Sequence, residues 1–168
     1  MATERSGRWL WLVCAVVAAD RASKYAIERT TDEGFRRELI PHVAWLVHST
    51  NSGIAFGMFS GATTGSGWAA ILLMGTSAAV ILVLGWLLVA GRAGAVLEQA
   101  GLALIAGGAA GNLLDRILHH GVTDFLELHA GRFEWPAFNV ADSSITIGAL
   151  LILYELLRGK REASGERA

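Results

Sequence analysis

The chain has 168 residues, 53% of them hydrophobic and 17% charged, with a mean hydropathy of +0.44 and a formal net charge of −1. It is too apolar for an ordinary soluble domain of this size and too short for two domains, and nucleic-acid binding would need a concentrated basic surface that so balanced a charge does not suggest. The one cysteine, Cys14, lies in an apolar run, so no disulfide framework can form within the chain and the residue reads as a small hydrophobe.

A spanning helix needs roughly 20 mostly apolar residues to cross ~30 Å of hydrocarbon, and four segments come close. The first covers about 9–27, with Asp20 and Lys24 near its far end. Arg5 and Arg8 ahead of this apolar run also fit a cleaved signal peptide. Val13 is too large for a lipoprotein-type cut before Cys14, however, and Trp9 and Trp11 suit an interfacial anchor, so a retained span is expected. An outer loop over 28–66 follows. Its run Val43-Ala-Trp-Leu-Val47 predicts a small strand-bearing cap with Pro41 at an edge.

The second span, about 67–90, carries no charge. The third, about 96–114, holds Ala103, Gly107 and Gly111 at four-residue spacing, which lets neighbouring helices approach closely. A second outer loop, 115–140, contains Phe125-Leu-Glu-Leu128 and Phe133-Glu-Trp-Pro-Ala-Phe138, expected as an interfacial segment at headgroup level. The fourth span, about 141–157, opens on Asp142, and a polar tail over 159–168 is expected to be disordered. The expected fold class is therefore an all-α membrane domain over 1–168, with four spans and a small cap.

Lys and Arg excess marks the cytoplasmic side. Arg5 and Arg8, Arg92, and the group Arg158, Lys160, Arg161 and Arg167 all fall on one side of a four-span path, which predicts both termini inside. Arg29, Arg36, Arg37, Arg116 and Arg132 lie in the outer segments, but Glu28, Asp32, Glu33, Glu38 and Glu134 are mixed among them.

Charged groups in or beside a span cost ~2.5–3.5 kcal/mol each on insertion scales, yet here they converge. Asp20 and Lys24, Asn51, Asn112, Asp115 and Arg116, Asp124, and Asn139 and Asp142 all fall at one depth on the outer side. Each has a plain structural reading. Asp20 and Lys24 are four apart on one helix face and suit an ion pair; Asp115 beside Arg116 suits local charge balance; Asn139 and Asp142 suit a helix start. Asp124, wedged between Val122-Thr123 and Phe125-Leu126, is harder to dismiss, because a carboxylate so placed is poorly solvated and its pKa is raised.

Two carboxyl groups facing each other across a peptide can share one proton, since like charges that close do not both ionise. The ionised member activates water and the protonated one donates to the carbonyl oxygen, while nearby amides stabilise the oxyanion. That chemistry needs no metal or cofactor. His119, His120 and His129 make no His-Glu-x-x-His zinc motif. Ser23 and Lys24 are adjacent on a helix and do not face each other, and Ser49, Ser143 and Ser144 show no nucleophile-elbow pattern. Residue chemistry alone leaves open whether Asp115 or Asp124 partners Asp142.

The segments Asp20-Arg-Ala-Ser-Lys24, Asn51-Ser-Gly-Ile-Ala-Phe56, Gly111-Asn-Leu-Leu-Asp-Arg116, Val122-Thr-Asp-Phe125 and Phe138-Asn-Val-Ala-Asp-Ser143 closely resemble, in order, the blocks of bacterial lipoprotein signal peptidase, or signal peptidase II. The likeness covers about residues 8–158. It implies an inner-membrane aspartic endopeptidase that removes signal peptides from diacylglyceryl-modified prolipoproteins, cutting just before the lipidated cysteine. It implies Asp124 and Asp142 as the catalytic pair, with Asp20, Lys24, Asn51, Gly53, Asn112, Asp115, Arg116, Asn139 and Ala141 in support. It also implies an active site on the periplasmic side, sensitivity to globomycin-type inhibitors, membrane lipid as a partner, and a monomer. Arg21 departs from the family, which often has Gln there, and residues 28–49 match no family pattern. The competing reading is a small non-enzymatic transporter or assembly subunit whose buried charges bind an ion or relay protons.

Overall fold

The computed structural model describes residues 2–51 and 67–165. The elements follow in the order α1 (Ala2–Thr30), β1 (Arg36–Ile40), β2 (Ala44–Asn51), α2 (Gly67–Val89), α3 (Val96–His119), β3 (Val122–Ala130), β4 (Phe133–Phe138) and α4 (Val140–Gly165). Among the described residues three stretches, Ile71–Val89, Val96–His119 and Val140–Gly159, are long and apolar enough to cross a membrane. The remaining helix, α1, carries Asp20, Arg21, Lys24 and Glu28 in its second half.

The glycine- and alanine-rich α3 is the centre of the bundle. Half of its apolar window is buried inside the protein, against 6% for α2 and 17% for α4, so those two leave most of their apolar surface facing outward. Small residues permit this. A Cβ at Gly108 would lie 2.4 Å from the Ala141 carbonyl oxygen, and one at Gly111 would lie 2.6 Å from Asp20 Oδ2. Gly107 meets Val16 in the same way, so the expected small-residue stripe presses α3 against α1, while Gly101 and Gly108 press it against α4. Both α2 and α4 pack on α3 rather than on each other.

The strands form one antiparallel sheet in the order β1-β2-β3-β4. Strands β1 and β2 lie in the first outer loop, where a strand-bearing cap is expected, but β3 and β4 are not expected as strands. Residues 122–138 form no separate interfacial segment; they are a hairpin that joins the strands of the first outer loop. The β-branched and aromatic residues Val122, Thr123 and Phe125 suit a strand, and Gly131 supplies the positive φ of the turn. Pro136 falls on edge strand β4, where a missing N–H leaves no gap in the sheet. Pro41 lies in the turn between β1 and β2.

A second correction concerns the tail. α4 runs to Gly165, well past 159. Lys160, Arg161, Glu162 and Ala163 are good helix formers, and extending a helix that already exists needs no new nucleation. The third helix likewise continues past Leu114, so Asp115 and Arg116 stand on α3 itself. The supporting residue Gly53, with most of the block that begins at Asn51, lies outside the described residues.

Candidate active site

The polar residues gather where α1, α3 and α4 meet the sheet. Lys24 is fully buried and donates from Nζ to Asp20 Oδ2 at 2.7 Å and to Asn112 Oδ1 at 3.0 Å, with Asp115 Oδ2 at 2.9 Å. The expected i, i+4 ion pair is therefore present, and it reaches onto α3. Asp20 also accepts the backbone N–H of Ala141 at 2.9 Å. This N–H is one of the orphan donors in the first turn of α4, so a buried carboxylate from α1 caps a different helix. Ala141 itself is completely buried.

Asn139 and Asp142 open α4 as a reciprocal cap. Asn139 Oδ1 accepts the Asp142 N–H at 3.0 Å, and Asp142 Oδ2 accepts the Asn139 N–H at 3.3 Å. Helix start and polar site turn out to be the same residues, because the amide end of Asn139 points the other way. Its Nδ2 donates to Asp124 Oδ1 at 2.7 Å, with longer contacts to Asn112 Oδ1 and the Thr123 carbonyl at 3.3 Å. Asp124 Oδ2 accepts from Asn51 Nδ2 at 3.2 Å, and Asp142 Oδ1 accepts from Asn112 Nδ2 at 2.8 Å. Asp124 and Asp142 are thus tied to one asparagine from two separate stretches of chain.

Asp124 reaches this position through the sheet. The register between β2 and β3 slips between the pairs Leu46↔Leu126 and Ser49↔Asp124, three residues on β2 against two on β3. Such a bulge re-aims side chains and is common beside active sites. Val122, Thr123 and Asp124 are all buried, so this end of β3 is enclosed on both faces. Burial raises the Asp124 pKa to about 7, and the charge of Asp142 pushes it the same way; hydrogen bonds from Asn51 and Asn139 and the charge of Lys24 oppose this.

Both aspartates line a cavity of about 760 Å³ in the gap between α2 and α4, roofed by the β3–β4 hairpin. Its walls mix apolar residues such as Leu73, Val80 and Ile145 with Asn51, Asn112 and Arg116 at the aspartate end. Arg116 lies within electrostatic reach of Asp142, Asp124 and Asp115. Among the described residues, Glu28, Asp115 and His119 have potential metal-ligand atoms within 4.8 Å of one another. Arg21 already bridges two of them, donating to Asp115 Oδ1 at 2.6 Å and pairing with Glu28.

The family model for signal peptidase (SPase) II matches residues 12–158. The chain belongs to the signal peptidase II family. It is 42% identical to a lipoprotein signal peptidase of Solibacter usitatus, over 89% of this chain and 90% of that protein. It is 41% identical to one of Azoarcus sp., over 95% and 89%. A solved bacterial membrane enzyme superposes with a TM-score of 0.80 at 30% identity, covering 92% of this chain and 90% of that one. A second superposes with a TM-score of 0.78 at 29% identity. This signal peptidase II is accordingly a peptidase with a membrane-enzyme fold, several apolar helices and a small antiparallel sheet.

All the described residues that the family blocks single out, Asp20, Lys24, Asn51, Asn112, Asp115, Arg116, Asp124, Asn139, Ala141 and Asp142, meet in this one region. Glu28 and Thr123 belong to it too, with Thr123 Oγ1 donating to Glu28 Oε1 at 3.0 Å. Sequence reasoning assigned neither a role. The signal for Glu28 was available: Arg21, Lys24 and Glu28 recur at three- and four-residue steps, which is one face of a helix.

Proposed function

We propose that this protein is an aspartic endopeptidase that removes the signal peptide from diacylglyceryl-modified prolipoproteins, cutting just before the lipidated cysteine. The observation that carries this is Asp124 and Asp142 sharing one cavity and one bridging asparagine, with Asp124 holding its proton up to about pH 7. In this reading Asp124 is the protonated member and Asp142 the ionised one. Asp142 takes a proton from water as the water attacks the scissile carbonyl carbon. Asp124 donates to the carbonyl oxygen to give a gem-diol; as the C–N bond breaks, the proton gained by Asp142 passes to the leaving nitrogen and a diol hydroxyl returns one to Asp124.

The cavity suits such a substrate. Its apolar walls between two outward-facing helices accept a signal helix and acyl chains from the side, while its polar end meets the peptide bond. Binding both ends of the cleavage region orients the bond before attack. No metal or cofactor enters this mechanism. We assign α1 as a fourth span, because Asp20 and Lys24, the charges deepest in its apolar stretch, are buried against α3 and α4 rather than exposed to lipid. The distribution of Lys and Arg then puts both termini in the cytoplasm and the site on the periplasmic side of the inner membrane. A monomer in lipid, open to globomycin-type inhibitors, completes the proposal.

The test is cleavage of a diacylglyceryl-modified prolipoprotein by purified protein in detergent, without an ion gradient. Asp124→Asn and Asp142→Asn should each abolish turnover while leaving the protein folded. Full cleavage by both single variants would end the proposal.

A further inference from the structure

Arg21, Glu28 and Thr123 take no part in the dyad chemistry, yet they close a ring against it. Arg21 Nη1 donates to Asp115 Oδ1 at 2.6 Å, and its Nη2 pairs with Glu28. The other oxygen of Glu28 accepts the Thr123 hydroxyl at 3.0 Å, and the Thr123 backbone N–H reaches Asp115 Oδ2 at 3.3 Å. The ring therefore runs from α1 to α3 to the start of β3 and back. It grips a single residue of β3 twice, once by side chain and once by backbone. That residue is buried, and it immediately precedes Asp124.

The chain needs such a grip at this point. β3 begins only a short turn after α3, where His120 takes a left-handed conformation at φ 58° and the β2 partner strand carries the bulge. In a strand, successive side chains point to opposite faces. A Thr123 side chain held on the α1 side thus directs the Asp124 side chain toward the cavity. Misplacing a reacting group by ~1 Å costs about 100-fold in rate.

Resting on the dyad reading above, we infer that Arg21, Glu28 and Thr123 are positioning residues that clamp the first turn of β3 and so set the Asp124 carboxyl opposite Asp142. The Arg21–Glu28 pair aims the Glu28 carboxylate at the Thr123 hydroxyl. The hydroxyl transmits that position to the backbone. This role gives the departure at Arg21 a purpose: its guanidinium donates to both Glu28 and Asp115 and offsets their charge.

The experiment is steady-state cleavage of a diacylglyceryl-modified prolipoprotein by the full chain in detergent, with thermal unfolding of each variant alongside. Thr123→Val keeps the shape and removes the hydroxyl; kcat should fall about 10- to 100-fold with KM nearly unchanged. Thr123→Ser should restore kcat to within a few-fold of the parent. Arg21→Gln should lower kcat less, and combining it with Thr123→Val should cost no more than Thr123→Val alone, because both act through one ring. Arg21→Gln and Glu28→Gln carry the same reading if Thr123→Val is not recovered folded, since both retain polar side chains. An unchanged kcat in Thr123→Val or in both Gln variants, a Ser variant as slow as the Val variant, or independent losses in the double variant would each overturn the clamp. Turnover by Asp142→Asn would overturn the dyad instead, so the two failures are distinguishable.

Discussion

Two acidic clusters lie side by side at the sheet end of the helices, and they are balanced in opposite ways. In one, Asp20 and Asp115 are met by Lys24 at 2.7 and 2.9 Å, and Asp115 by Arg21 at 2.6 Å. In the other, Asp124 and Asp142 are hydrogen-bonded by the neutral amides of Asn51, Asn112 and Asn139, with the Arg116 charge within electrostatic reach. An amide fixes where a carboxyl group sits without cancelling its charge or blocking its proton. A cation in direct contact also offsets the charge and ties the carboxylate to the element that carries it. The first cluster ties α1 to α3 and α4, and the second is the one proposed to exchange a proton, although their residue types are alike.

The comparison breaks most sharply on activity. Asp124→Asn and Asp142→Asn should lower kcat by on the order of 1,000-fold or more, the range that general acid–base groups supply, with little loss of folded protein in a thermal scan. Lys24→Met should do the reverse. It leaves two buried carboxylates short of their shared cation, which destabilises by ~3–5 kcal/mol, and the loss should appear in unfolding measurements before any activity is assayed. A Lys24→Met variant as stable as the parent would show that the first cluster does not hold the helices. A smaller effect tests how closely that cluster is packed. Gly111→Ala puts a Cβ 2.6 Å from Asp20 Oδ2, and overpacking at a tight site costs ~1–3 kcal/mol, read as a lowered Tm with the pH dependence of activity unchanged.

The two clusters also differed in how far they could be read from sequence. Lys24 follows Asp20 by one helical turn, so their pairing was legible from spacing alone. The three apolar spans were legible from hydropathy, and the packing role of Gly107 and Gly111 from their period. The dyad was not. Choosing Asp124 rather than Asp115 needed a family resemblance, because the choice depends on a bulge in β2 and on which way Asn139 turns its amide. Neither leaves a local trace. The hairpin over 122–138 was missed as a pair of strands because its aromatics fit an interfacial segment equally well, and only pairing with β2 decides between them. Thr123 was missed for the same reason, since its contact with Glu28 joins residues 95 apart in sequence, whereas Glu28 could have been read from its helix face.

The finest test of the contrast is the pH dependence of stability. Folded Asp124 has a pKa of about 7, against ~3.9 for an unfolded aspartate. Between roughly pH 4 and 7 the folded state thus binds a proton that the unfolded state has released. Stability from this group is fully present below the unfolded pKa and declines as pH rises toward 7, by at most ~1.4 kcal/mol per unit. Asp124→Asn should flatten that decline relative to the parent, and comparing the two cancels the other carboxyl groups. Asp142→Asn separates the causes. Burial is the larger cause of the raised value and the charge of Asp142 the next. Removing that charge should therefore move the upper edge of the decline below pH 7 yet leave it well above an ordinary carboxylate. An edge that does not move in Asp142→Asn would mean the two aspartates do not sense each other, and the second cluster would then be two separate acids instead of a pair.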